Sequence, residues 1–269
     1  LLKQRLITGL ILGVGILATV WWAPLWLFSL IVGAATVYGA WEWSNFCRFK
    51  PVGRVAYVAM LAVLITLLFV GMDDALAAII TISAVAFWLG ALVLVLRYPS
   101  EIRWRARGHK LIIGMFVLIP AWLALTRLKE MPNGEMLILL LLLLVWGADT
   151  GAYFAGRALG KHKLMPNVSP GKTIEGFVGG LAVCMFIALS FSIWNELTGA
   201  ALVYLVLLSI VTAMASVLGD LFESMFKRER GIKDSGTLLP GHGGVLDRID
   251  SLTAAAPVFL FGLQMAPPF

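Results

Sequence analysis

Nine apolar runs divide this chain, at residues 6–22, 25–46, 55–70, 76–96, 111–128, 136–156, 176–194, 200–221 and 249–261. A bilayer's hydrocarbon takes roughly 20 helical residues per crossing, so nine crossings would occupy roughly 180 residues. In a chain of 269 that leaves short links and no room for a separate nucleotide-binding domain. Any chemistry must be built from helix ends and loops. The runs are continuous rather than alternating, which argues against a transmembrane β-barrel. Composition agrees: 60% of residues are hydrophobic and 13% charged, with a mean hydropathy of +0.92, where soluble domains hold about 45–50% and about 25%. A disordered tail, a disulfide-rich secreted domain and an ordinary soluble enzyme are excluded. The expectation is an all-α polytopic membrane protein of about nine transmembrane helices. The run at 249–261 is short and should begin nearer Val245. The first run, after Lys3 and Arg5, imitates a signal peptide. No small-x-small cleavage site follows, and the second run starts just past Pro24, so it is expected to be a retained helix.

Basic residues orient the bundle. With the N-terminus cytoplasmic, the inner segments hold Lys3 and Arg5; Arg48, Lys50 and Arg54; Arg97, Arg103, Arg105, Arg107 and Lys110; Arg157, Lys161, Lys163 and Lys172; and Lys227, Arg228, Arg230, Lys233 and Arg248. Of the 21 Lys and Arg, only Arg127 and Lys129 fall outside. Nine spans then put the C-terminus outside. The sequence pI of about 9.5 is therefore a matter of topology, and its division among short loops gives no surface for nucleic acid. Residues 1–110 are expected to form the first four helices with basic inner loops. Residues 111–269 should form the other five and carry the site on the cytoplasmic side. Cys47 and Cys184 lie in or beside spans with no metal or disulfide spacing, as small packing residues do.

Ionisable groups in a bilayer cost about 2.5–3.5 kcal/mol each on insertion scales. Glu42, Asp149, Asp220, Glu223, Asp247 and Asp250 all fall toward the inner ends of their spans. Thr212, Ser216, Asp220 and Ser224 recur every four residues and make one polar stripe, which must face protein or water rather than lipid. The loop from Glu223 to Asp250 mixes Lys and Arg with glycines, carboxylates and His242. Asp247 and Asp250 sit about one helical turn apart on one face. Carboxylates hold a hard cation such as Mg²⁺, which in turn takes phosphate oxygens, and Lys or Arg offsets the remaining phosphate charge. In a second inner loop, Gly171-Lys172-Thr173 imitates a P-loop tail. The required earlier glycine is Pro166, however, and no soluble α/β domain surrounds it. Ser169, Thr173 and Glu175 instead mark a helix N-terminus suited to phosphate, with Lys172 as a mobile charge.

The stretch Ser224-x-Phe-Lys-Arg-x₄-Lys-Asp-x-Gly-x₂-Leu-Pro-x-His-Gly-Gly-Val-x-Asp-Arg-Ile-Asp250 resembles the signature of the phosphatidate cytidylyltransferase, or CDP-diacylglycerol synthase, family. Residues 169–175 and 149–157 are similar to that family as well. The resemblance implies transfer of CMP from CTP to phosphatidate in a bacterial inner membrane, releasing pyrophosphate. It also implies Mg²⁺ held by Asp220 and Asp247, with K⁺ an option as a second cation. On this reading Asp250 and Glu223 support the metal or hold a second one. Lys172, Lys233 and Arg248 hold phosphates, and Asp234 and His242 orient the loop. Ser169, Thr173, Glu175, Lys227, Arg228 and Asp149 line the substrate site. The lipid tails stay between helices. Apolar outer faces suit lipid or a second copy alike, which leaves a homodimer open.

Three other readings compete. An anion transporter would place charge at the midplane of two related halves, and this chain has neither. A relative acting on another lipid phosphate, such as a CDP-archaeol synthase or a polyprenol kinase-like enzyme, differs in substrate; the full 27-residue pattern disfavours the kinase. A structural scaffold leaves the clustered aspartates unexplained. The charge pattern makes one direct prediction: a cysteine placed beside Ser235 should label from the cytoplasmic side, and labelling only from outside would invert the topology.

Overall fold

A computed structural model describes the chain apart from residues 1, 101–102, 239–240, 242 and 267–269, with backbone alone for residues 2–8 and 103. Nine α-helices lie among the described residues: α1 (Leu2–Trp22), α2 (Leu25–Phe46), α3 (Pro51–Gly71), α4 (Asp74–Leu96), α5 (Arg107–Glu130), α6 (Gly134–Leu159), α7 (Ile174–Trp194), α8 (Gly199–Arg230) and α9 (Leu246–Gln264). Each apolar run has become one helix, and the fold is an all-α polytopic membrane bundle. The helices α2 to α8 are each long and apolar enough to cross a bilayer, and the described apolar part of α1 spans Gly9–Trp22. Local chemistry sets several of the starts. Pro51 opens α3, where a missing N–H costs nothing. The Asp73 side chain accepts from Leu76 N at 2.7 Å and caps α4.

The helix α9 carries Asp247, Arg248 and Asp250 in its first turns, and Pro257 further on. It can do so because α2, α4, α5, α6 and α8 all pack against it. Ala254, Ala255, Ala256 and Phe259 are fully buried. Protein, rather than lipid, is its solvent. In contrast, α3 shows Val52, Val63, Leu67 and Val70 on the outside, as a lipid-facing helix should. The pair α6 and α7 is held by backbone proximity. A Cβ at Gly180 would sit 2.6 Å from Ala148 O, and one at Gly151 would sit 2.9 Å from Gly179 O. Small residues let membrane helices approach this closely, so that van der Waals contact holds them without a hydrophobic force.

Cross-helix bonds show which links share an end of the bundle. The buried Lys110 ammonium donates to Phe46 O and pairs with Glu229. Arg230 donates to Asn45 O, and Arg228 donates to Val168 O. At the other end Lys129 donates to Val20 O at 2.6 Å, and Arg127 donates to Asp73 O. The basic links after α2, α4, α6 and α8 therefore gather at one end, with Arg127 and Lys129 at the opposite one.

Two features depart from the sequence reading. The helix α8 continues past 221 to Arg230, so the expected long loop shrinks to residues 231–245. The extra turns have an apolar face. Phe226 packs 4.8 Å from Trp43 and 4.7 Å from Trp104, and Phe222 lies 5.4 Å from Trp88, measured between ring centroids. Edge-on and tilted aromatic pairs of this kind add to burial, and they outweigh the basic residues that looked like a loop. Second, a hairpin of β1 (Lys163–Met165) and β2 (Ser169–Thr173) links α6 to α7. Replacing Gly180 by Val should drive α6 and α7 apart, with the cost of about 1–3 kcal/mol typical of overpacking. The check is a lower melting temperature in detergent; a parental value would show that the two helices separate freely.

Candidate active site

At the gathered end, α8 and α9 approach backbone to backbone. A Cβ on Gly219 would strike Asp250 O. That approach sets the carboxylates of Asp220 and Asp250 in each other's field, with Asp149 of α6 also in range. Asp220 is partly exposed. Its Oδ2 lies 2.7 Å from Lys172 Nζ, and its Oδ1 accepts from Ser224 Oγ at 3.1 Å. Lys172 sits on β2, so this ion pair ties the loop between α6 and α7 to the polar stripe of α8. The stripe above it faces inward: Thr212, Ser216 and Ser224 are all buried.

One turn further along α8, the Lys227 ammonium is buried among carboxylates. It donates to Asp247 Oδ1 at 2.8 Å and lies 3.2 Å from Glu223 Oε1. Asp220 and Asp250 feel its charge as well. Glu223 is 3% exposed, and its Oε2 has no hydrogen-bond partner. Asp247 is fully engaged. Its Oδ2 accepts from Gly244 N at 2.8 Å and from both Ser235 N and Ser235 Oγ at 2.9 Å. It therefore ties Ser235 and Gly244 to the start of α9, in the manner of a carboxylate satisfying orphan N–H groups at a helix N-terminus.

The β-hairpin is pinned from α7. Thr173 caps that helix, its Oγ1 accepting from Gly176 N at 3.1 Å. Glu175 accepts from Lys161 N at 3.0 Å and contacts His162 Nδ1 at 2.6 Å. Ser169 opens β2. Asp149, Tyr153, Arg157, Lys172, Phe177 and Val217 line an open groove of about 360 Å³ between α6, α7 and α8. The Tyr153 hydroxyl accepts from Arg157 Nη1 at 3.1 Å across its wall.

The sequence candidates thus fall into three sets. Asp149, Lys172, Thr173 and Asp220 surround the groove and its inner end. Glu223, Lys227, Asp247 and Asp250 form the buried ionic cluster. Lys233, Asp234 and Arg248 are exposed on the loop and at the start of α9, and Arg248 lies in the field of Asp149. Arg228 holds the hairpin through Val168 O. His242 lies outside the described residues. Among those residues, no three His, Cys, Asp or Glu side chains converge on one metal-sized point. Both cysteines are buried and free; burial pushes the Cys47 thiol up to about 12, away from thiolate chemistry.

Three residues that the structure brings to this end have no role in the site as read from the sequence, although Glu42 stands among the acids inside spans and Arg157 among the inner basic residues. Glu42 of α2 reaches the loop from the other half of the chain. Ser235 bridges two carboxylates, and Arg157 stands at the groove mouth. A lone acid inside an apolar run was the available signal for Glu42. A serine among glycines gave none.

The fold and the site together define a polytopic membrane protein whose charged groups collect at one end, beside a groove with an apolar wall. The family follows from comparison. Residues 3–266 match the model of the cytidylyltransferase family. A Pseudomonas aeruginosa phosphatidate cytidylyltransferase is 47% identical over 261 residues, 96% of each chain. One from Haemophilus influenzae is 41% identical over 282 residues, covering 97% of this chain and 98% of its own. One from Brucella suis is 37% identical over 271 residues, covering 99% and 95%. The chain belongs to the cytidylyltransferase family.

Removing one partner of a buried ionic group strands the others, at about 3–5 kcal/mol. Lys227→Met should therefore lower the melting temperature in detergent sharply, while Lys233→Met, on the exposed loop, should leave it almost unmoved. Equal effects would deny Lys227 its central place.

Proposed function

We propose that the protein transfers CMP from CTP to phosphatidate, giving CDP-diacylglycerol and pyrophosphate, with its site on the cytoplasmic face of a bacterial inner membrane. The observation that carries this reading is the Lys172–Asp220 pair. It joins two distant charged segments at the inner end of a groove whose other wall is apolar, in a chain whose relatives bear that enzyme's name.

The proposed reaction needs no strong base. A phosphate oxygen of phosphatidate is already anionic and attacks the α-phosphorus of CTP. A bond forms between them, the α–β bridging P–O bond breaks, and pyrophosphate leaves with the electron pair. The obstacle is the approach of two polyanions. Positive groups of the chain must offset it and follow the charge onto the leaving group. Lys172 is placed to meet a phosphate at the groove, and Arg157 to meet one at its mouth. Lys233 and Arg248 are the exposed cations of the loop side, suited to the triphosphate. Tyr153, Phe177 and Val217 offer an apolar wall to acyl chains, so the lipid need expose only its headgroup to water.

Asp220, with Asp250 and Asp149 in its field, offers the hard oxygens that Mg²⁺ takes. Such an ion is usually held by one or two carboxylates and completed by substrate phosphates and water. When bound, Mg²⁺ supplies charge neutralisation between the two substrates. Glu223 Oε2, the oxygen that does not face Lys227, fits a second cation, K⁺ included. Asp247 would have to release Lys227 to serve as a ligand; as it stands, it orders the loop. Asp220→Asn and Asp247→Asn should each abolish formation of labelled lipid from radiolabelled CTP, phosphatidate and Mg²⁺, with the folded protein still in the membrane. Near-normal turnover in both would remove the metal assignment.

A further inference from the structure

Glu42 has no role in the reaction just described, yet it is 3% exposed in the middle of the structure's charged end. It belongs to α2, about two hundred residues before the loop it touches. Its Oε1 accepts from Val245 N at 3.1 Å and its Oε2 from Leu246 N at 2.7 Å. Oε2 also accepts from Ser235 Oγ at 3.3 Å. A Cβ on either Gly236 or Gly244 would run into the same carboxylate. Ser235 and Gly236 on one side of the loop, and Gly244, Val245 and Leu246 on the other, therefore close on this one side chain, with no room for a larger residue at either glycine.

The donors fix what Glu42 must be. Two backbone N–H groups point at it, one to each oxygen, and the Ser235 hydroxyl shares its single hydrogen between Asp247 at 2.9 Å and Glu42 at 3.3 Å. A carboxylate accepts from all of them. A carboxamide of the same shape would turn an NH₂ toward an N–H. Glu42 and Asp247 grip the same segment from opposite sides, with the Ser235 hydroxyl between them. Asp247 satisfies Gly244 N, and Glu42 satisfies the next two N–H groups of the chain. Together they fix the start of α9, and with it the direction of Asp247, Arg248 and Asp250.

We infer that Glu42 is a positioning residue for cytidylyl transfer: a carboxylate in the N-terminal half of the chain that holds Ser235 and the Gly244–Leu246 segment so that the charged groups of α9 face the triphosphate. The assignment rests on the reaction proposed above, but the grip on the loop can be read without it.

The experiment compares the full-length parent with Glu42→Gln and Ser235→Ala in detergent micelles. It uses two readouts: steady-state kinetics with CTP and phosphatidate, and the rate of tryptic cutting after Lys233. Glu42→Gln should lower kcat at least tenfold and raise KM for CTP, because the triphosphate-facing groups are misdirected. Mere loss of folded enzyme would lower turnover and leave KM in place. Cutting after Lys233 should be at least tenfold faster. Ser235→Ala should move both readouts the same way by less, and it alone decides the matter if Glu42→Gln does not accumulate. Parental KM or a parental cutting rate in the deciding variant overturns the inference. A parent that makes no labelled lipid overturns the reaction instead, while the cutting rates still report whether Glu42 holds the loop.

Discussion

One buried ammonium conditions the whole charged end of this bundle. Asp220, Glu223, Asp247 and Asp250 lie on two adjacent helices, and all four feel Lys227. Mutual repulsion alone would push α8 and α9 apart. The ammonium lets them close to the point where Gly219 has no space for a side chain against Asp250 O. A buried ion pair is rarely a source of net stability, because desolvation offsets the attraction. Here it acts as a constraint: only one register of α8 on α9 places Lys227 between Glu223 and Asp247. Phe226, the neighbour of Lys227 on α8, packs into an aromatic shell with Trp43 and Trp104 and so fixes the same helix from another side.

Much of the bundle was legible because lipid imposes a simple rule. Backbone polar groups must be satisfied within a segment, so an apolar run of bilayer length becomes a helix. That rule located all nine helices to within a few residues at most ends. It failed where lipid was not the solvent. The last turns of α8 alternate Phe222 and Phe226 with Lys227 and Arg228, a pattern that reads as a basic loop until the facing tryptophans are known. The hairpin of three- and five-residue strands is too short to show a period. Asp149, Lys172 and Asp220 were recognisable one at a time as charges that need a reason. Their meeting was expected only from the family resemblance, because nothing in the residues themselves measures the distance between positions so far apart.

The division of the chain into a plain first part and a charged second part is likewise weaker in three dimensions than along the sequence. The helix α2 supplies Trp43 and Phe46 to the aromatic shell and Glu42 to the loop. The helix α4 packs on both α8 and α9. Lys110, at the start of α5, ties Phe46 O to Glu229. Helices that hydropathy alone would treat as spacers thus form the walls against which the charged residues are held. The scaffold and the site are made of the same segments.

The seclusion of α9 bears on how such a protein is made. A segment that opens with Asp247, Arg248 and Asp250 and is interrupted by Pro257 has little claim of its own on the hydrocarbon when it leaves the ribosome. It gains one only from partners already in place, since five other helices make up its surroundings. Biogenesis is thereby ordered: the earlier helices must insert and assemble a slot before α9 can enter it. The acidic centre is then the final thing to be completed, so no half-built chain displays it.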